Sequence, residues 1–252
     1  MPQCNINGIN IAYMCEGQGR DVVLLHGWRQ KMIMMDPIYQ HLKAHFRVFN
    51  LDFPGFGDSD EPKSAWGVED YEKFLDDFCR MHGIKDPILI GHSFGCRVAI
   101  RYAVKHPVYK MILTGAAGIK PKKSLQAKLK IAGYKAAKKM ISLTGNEEML
   151  ENFKKKNGSD DYRNATGVMR ETFVKVVNDD ISDLLEKVTM PVLLVWGEHD
   201  DAVPLWMGKE MESKMKNAGL AVFEGDDHFA YFHQSARFNR CLDAFLKEDW
   251  EG

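Results

Sequence analysis

Apolar and polar positions along this chain recur on two different periods. Near the N-terminus, Ile9-Asn10-Ile11-Ala12-Tyr13-Met14 follows the pair Asn7-Gly8. An Asn-Gly pair accepts the positive backbone angles of a two-residue turn, so this stretch predicts half of a hairpin. Further along come short runs that are apolar at nearly every position: DVVLLH (21–26), FRVFNLD (46–52), PILIG (87–91), YKMILTG (109–115), PVLLVWG (191–197) and LAVFEG (220–225). Runs of this length predict strands covered on both faces. Between them lie stretches such as VEDYEKFLDDFCRMHG (68–83), whose apolar residues return every three or four positions. Strand and helix patterns in alternation predict an α/β fold with a mostly parallel central sheet flanked by helices.

One interval breaks the alternation. Residues 119–187 separate two predicted strands, where roughly 2–6 residues would be usual. The interval has helical periodicity, with Leu125, Leu129, Ala132, Ala136 and Met140 on one face. It predicts a helical cap inserted over one edge of the sheet. The expected division is a core of residues 1–118 and 188–252 with a cap of 119–187.

Composition narrows the classes. The chain has 252 residues, is 45% hydrophobic and carries a formal net charge of −1. That suits one sizeable core and argues against disorder and against nucleic-acid binding. No apolar run approaches the ~20 residues that span a bilayer, so stable membrane insertion is not expected. The N-terminus lacks the basic start and apolar stretch of a secretory leader. The five cysteines are widely spaced and form no C-x-x-C, as expected of free thiols in the cytoplasm. Between Ile119 and Asp161 there are eleven lysines, Lys122, Lys123, Lys138, Lys139 and Lys154–Lys156 among them, against five carboxylates. A solvated helix face is the favoured reading, and attraction of anionic substrates or an anionic membrane surface is the alternative.

The candidate chemistry begins at Gly91-His92-Ser93-Phe94-Gly95, where a predicted strand becomes a predicted helix. A serine in so tight a turn has a strained backbone, and flanking glycines leave it room. A serine hydroxyl is a weak nucleophile until a base takes its proton and a third group orients the base. With a strand–serine–helix turn, the partners follow in the order acid, then histidine. Asp200 stands three residues past Gly197 after one strand, and His228 stands after the last. The strand ending TGAAG offers no carboxylate. Asp201 is the rival acid, Asp226 and Asp227 suit turns, and His233 lies five residues beyond His228. His92 and His199 are expected to support their loops. His199, Asp200 and His228 lack the paired spacing of a metal site, so no metal or other cofactor is expected. Backbone N–H groups of Phe94 and of Trp28, after His26-Gly27, are the expected donors to an oxyanion.

The segments LLHGW, DFPGFGDSD, GHSFG, GEHDDAVP and DDHF together resemble the α/β-hydrolase superfamily over about residues 21–245. The resemblance implies the α/β-hydrolase fold with a helical cap. It implies carboxylic-ester hydrolysis with Ser93, Asp200 and His228 as the triad, and our leading expectation for the substrate is a short to medium acyl or aryl ester. DFPGFGDSD would be a structural loop. Cys96 departs from the family's usual glycine, and serine in place of aspartate argues against the haloalkane dehalogenase and epoxide hydrolase branches. For the substrate pocket we expect Trp28, Met32, Met34, Met35, Phe94 and Phe229, methionine being adaptable in shape. Arg97 matches an active-site arginine of the menaquinone-pathway branch, which keeps a C–C hydrolase or lyase open as an alternative. A slow-turnover ligand receptor with a retained triad is another. The expected partner is a small-molecule ester, and no oligomeric state is specified.

Overall fold

The computed structural model describes residues 2–120 and 125–250, with no side chains between 121 and 130. Lys122, Lys123 and the side chains of Leu125 and Leu129 therefore lie outside the described residues.

The N-terminal hairpin pairs β1 (Gln3–Ile6) with β2 (Ile9–Glu16) through a turn in which Asn7 and Gly8 both have positive φ, 52° and 84°. The apolar runs form β3 (Asp21–Leu25), β4 (Arg47–Leu51), β5 (Ile88–His92), β6 (Lys110–Thr114), β7 (Val192–Gly197) and β8 (Ala218–Phe223). The eight strands are ordered β1-β2-β4-β3-β5-β6-β7-β8, antiparallel at β1, β2 and β4 and parallel from β4 to β8. β8 starts two residues before its apolar run, at this edge of the sheet, and Glu224-Gly225 belongs to the following turn.

Period-2 geometry explains the unbroken apolar runs. In β3, Val23 and Leu25 pack with α2 (Val68–Met81) and α3 (Phe94–Ala103), while Val22 and Leu24 pack with α1 (Asp36–Leu42) on the opposite face. Between β6 and β7 the chain runs through α4 (Leu125–Leu143), α5 (Glu147–Asn157), α6 (Asp160–Asn164) and α7 (Gly167–Val177). After β7 comes α8 (Leu205–Lys214), and after β8 come α9 (Ala230–His233) and α10 (Ser235–Leu246). Phe238, Leu242 and Leu246 of α10 are fully buried with α1 beneath the sheet. The face of α4 carrying Ala132, Ala136 and Met140 is exposed. Periodicity gave this helix a stripe, but among the described residues no layer covers Ala132, Ala136 or Met140.

The register brings the strand ends together. Leu25 pairs with Gly91, His92 with Thr114, Thr114 with Val195, and Gly197 with Phe223. The loops after β3, β5, β7 and β8 therefore open at one end of the sheet, where open parallel sheets place their ligands.

Candidate active site

Ser93 sits between β5 and α3 with φ 50° and ψ −105°, a conformation that L residues rarely adopt. Its N–H donates to Thr114 O at 2.9 Å, and its carbonyl accepts from Cys96 N–H at 3.2 Å. Both neighbouring glycines are required by close approach. A Cβ on Gly91 would lie 2.9 Å from Cys96 N, and one on Gly95 would lie 2.1 Å from Leu25 O. Cys96 is fully buried, its Sγ 3.6 Å from Thr114 O. Burial pushes its thiol pKa up, which keeps it unreactive.

Asp200 is 4% exposed. Its Oδ2 lies 2.7 Å from His228 Nδ1, and its Oδ1 accepts from Val203 N–H at 2.7 Å. Asp201 points to solvent. Gly115, at the end of β6, was not singled out by sequence reasoning. A Cβ there would meet His228 Nδ1 at 2.8 Å and Asp200 Oδ2 at 3.3 Å. The glycine of TGAAG leaves space for the acid–histidine pair, and that missing carboxylate position was the signal available. Among the described residues Ser93 Oγ makes no hydrogen bond to His228, and such bonds often close only around substrate.

Two buried histidines brace the loops. His26 donates from Nδ1 to Gly27 O at 2.8 Å and accepts at Nε2 from Phe53 N–H at 3.0 Å, so both hydrogen bonds fit a neutral ring. Burial lowers its pKa. His92 lies behind His228, ring centroids 4.7 Å apart, with Nδ1 2.9 Å from Thr114 Oγ1. Burial pushes its pKa well down, and the neighbouring His228 adds to the effect. The loop after β4 is a brace as well: Asp52 accepts from Met32 N–H at 2.6 Å and Asp58 N–H at 2.9 Å.

Ser93 and His228 face a cavity of about 620 Å³, lined also by Trp28, Gln30, Phe94, Arg97, Ala117, Val203 and Phe229. Ser159, Asp161, Phe173, Val176 and Val177 complete its walls from the segment between β6 and β7. Trp28 packs its ring on Phe94 at 5.6 Å and on Phe173 at 5.3 Å, joining that segment to the sheet end. Arg29 and Asp161 form a second link, an ion pair of 3.1 Å. A larger hollow of about 800 Å³ shares Ser159, Phe173 and Val177 with this cavity but contains neither Ser93 nor His228. The smaller cavity is therefore the one that can support serine chemistry.

Met32, Met34 and Met35 do not line the cavity. Met32 and Met35 are buried and Met34 half-buried, in a turn that bends away beneath the sheet. Asp52 and Asn50 hold that turn through the N–H and carbonyl of Met32, at 2.6 and 2.9 Å. Arg97 does reach the cavity, and its Nη1 donates to Asp179 O at 2.5 Å. Asp179 gives its carboxylate to Arg101 instead. The N–H of Phe94, first in α3, has no intrahelical acceptor. That of Trp28 has no backbone acceptor among the described residues. His233 lies outside, paired with Asp226 at 2.9 Å, and His199 is exposed.

A mostly parallel open sheet with a strained serine turn and an acid–histidine pair at one end defines a hydrolase class of α/β protein. Residues 22–240 match the alpha/beta hydrolase family, to which the chain belongs. It is 24% identical to a pimeloyl-[acyl-carrier protein] methyl ester esterase of Vibrio vulnificus (strain YJ016), covering 94% of this chain and 98% of that one. It is 28% identical to a 2-hydroxy-6-oxononadienedioate/2-hydroxy-6-oxononatrienedioate hydrolase of Burkholderia vietnamiensis, covering 95% and 91%. Among solved structures, an esterase from Exiguobacterium antarcticum superposes with a TM-score of 0.74 at 22% identity, over 96% of this chain and 97% of that chain.

Proposed function

We propose that this hydrolase cleaves carboxylic esters of short to medium acyl or aryl groups through an acyl-enzyme on Ser93. The observation that carries the reading is the meeting of Ser93, at φ 50°, with the His228–Asp200 pair on one cavity. His228 Nε2 takes the Ser93 proton as Oγ attacks the ester carbonyl, and Asp200 holds the ring with Nδ1–H directed away from the serine. The N–H groups of Phe94 and Trp28 receive the oxyanion as charge moves onto it. His228 then protonates the leaving alcohol, and a water that it deprotonates releases the acid. Residues 119–187 act as a cap whose Phe173, Val176 and Val177 limit the acyl group. The esterase relative supports this reaction type.

Arg97 favours a second reading. Arg97 lines the cavity, and its guanidinium makes no ion pair with a carboxylate among the described residues. A substrate carboxylate would suit it, as would the C–C hydrolysis of dioates for which the Burkholderia relative is named. Multiple turnover of p-nitrophenyl acetate and butyrate, followed from the first turnover, tests the main reading. Burst then steady release supports it. Release that stalls after one equivalent points to a receptor, and no release beside cleavage of a dioate carbon chain points to the second reading.

A further inference from the structure

From Asp86 to Glu147 the sequence between these two acids contains no carboxylate side chain, and α4 lies inside that interval. Its nineteen residues include five lysines. Ile131, Tyr134, Ala137 and Ile141 form its half-buried side, where Tyr134 stacks on Phe153 of α5 with centroids 5.2 Å apart. The opposite side carries Ala132, Ala136, Met140 and Leu143 at spacings of four, four and three, one continuous stripe. Met140 is 70% exposed and Leu143 79%, and Lys135 and Lys139 border the stripe. No ion pair neutralises either lysine among the described residues. Glu147 and Glu148 follow only beyond the Gly145 turn, and α5 ends in Lys154, Lys155 and Lys156.

We propose that the exposed face of α4 is a docking surface for an anionic lipid membrane. Its charge is of one sign and complements an anionic surface. The apolar stripe lies on the outside of a helix, and none of its four residues lines either cavity described above. A fluid acyl layer conforms to a convex helix, which sinks its apolar face ~5–10 Å into the headgroup boundary while lysine stems carry their charge back to the phosphates. The helix lies in the plane of the surface, and no helix among the described residues is long and apolar enough to cross it. Docking through this face does not require the chemistry proposed for Ser93.

Cosedimentation of the full-length protein with phosphatidylcholine vesicles, alone or mixed with phosphatidylglycerol, tests the surface. The wild type binds the mixed vesicles, ignores the neutral ones, and releases as salt shortens the screening length from roughly 30 Å at 0.01 M to roughly 8 Å at 0.15 M. Lys135→Gln with Lys139→Gln weakens binding about 10- to 30-fold. Met140→Asp with Leu143→Asp abolishes it. Hydrolysis of a water-soluble ester and the far-ultraviolet circular dichroism of all three proteins verify that the variants are folded. Retained binding by the Met140/Leu143 variant overturns the proposal, since only adsorption by charge would remain. Absence of binding to mixed vesicles at low salt overturns it too, and so does capture by soluble polyglutamate but not vesicles, which assigns the face to an acidic protein.

Discussion

At the scale of single residues, three side chains carry the proposed chemistry and two buried histidines carry its foundation. Ser93→Ala should lower turnover roughly 10⁶-fold, and Asp200→Asn about 10⁴-fold with the fold intact, since the histidine would then sit in the wrong tautomer. Asp201→Asn, at an exposed position, should leave kcat within about twofold of the wild type, as surface substitutions usually do. The reverse ranking in steady-state assays would reassign the acid. His26 and His92 are both held below their ordinary pKa of 6.5 by burial. Below pH 6.5 the unfolded chain takes up protons that the folded one refuses, so stability falls as pH falls, by up to about 1.4 kcal/mol per pH unit for each histidine. Thermal melts should hold a level Tm above pH 7 and show a steady decline from pH 6.5 to 5. A flat Tm across that window would contradict the neutral assignment. The positions of Ser93, Asp200 and His228 at strand ends were legible because each follows an apolar run by a few residues. Met32, Met34 and Met35 were not placed correctly. The turn that carries them beneath the sheet is held by Asp52 and Asn50, contacts that no local pattern announces.

At the scale of elements, the β5–α3 turn depends on backbone crossing backbone. Gly95→Ala would press a methyl against Leu25 O, fixed in β3, where no side chain can swing aside. We expect a loss of about 3 kcal/mol or more in urea denaturation. An unchanged midpoint would mean that β3 and α3 pack less closely than described. The strands themselves were readable, since runs of five to seven apolar residues have no other use in a sheet covered on both faces. β8 was displaced by two residues, Ala218 and Gly219, because an edge strand is half-exposed and its apolar pattern weakens. The stripe on α4 was visible as periodicity, but periodicity reports a face and not its partner.

At the scale of the molecule, the sheet end carries the proposed reacting groups, and the segment between β6 and β7 adds part of the cavity wall. Phe173 of α7, packed on Trp28 at 5.3 Å, lines the cavity. Phe173→Ala should raise kcat/KM for p-nitrophenyl octanoate relative to the acetate about 10-fold, a change of the size that one or two methylenes make in an apolar pocket. An unchanged ratio would remove Phe173 from acyl selection. The long interval between β6 and β7 marked a helical insertion in the sequence, whereas the sharing of cavity residues between α7 and the sheet end depends on packing across more than a hundred residues. The most direct test of covalent chemistry at Ser93 is mass spectrometry of the protein treated with a fluorophosphonate. The predicted result is one adduct per chain, mapped to Ser93 within the 87–103 peptide and lost on prior denaturation. An adduct on another residue, or none on a protein that still hydrolyses esters, would contradict the account.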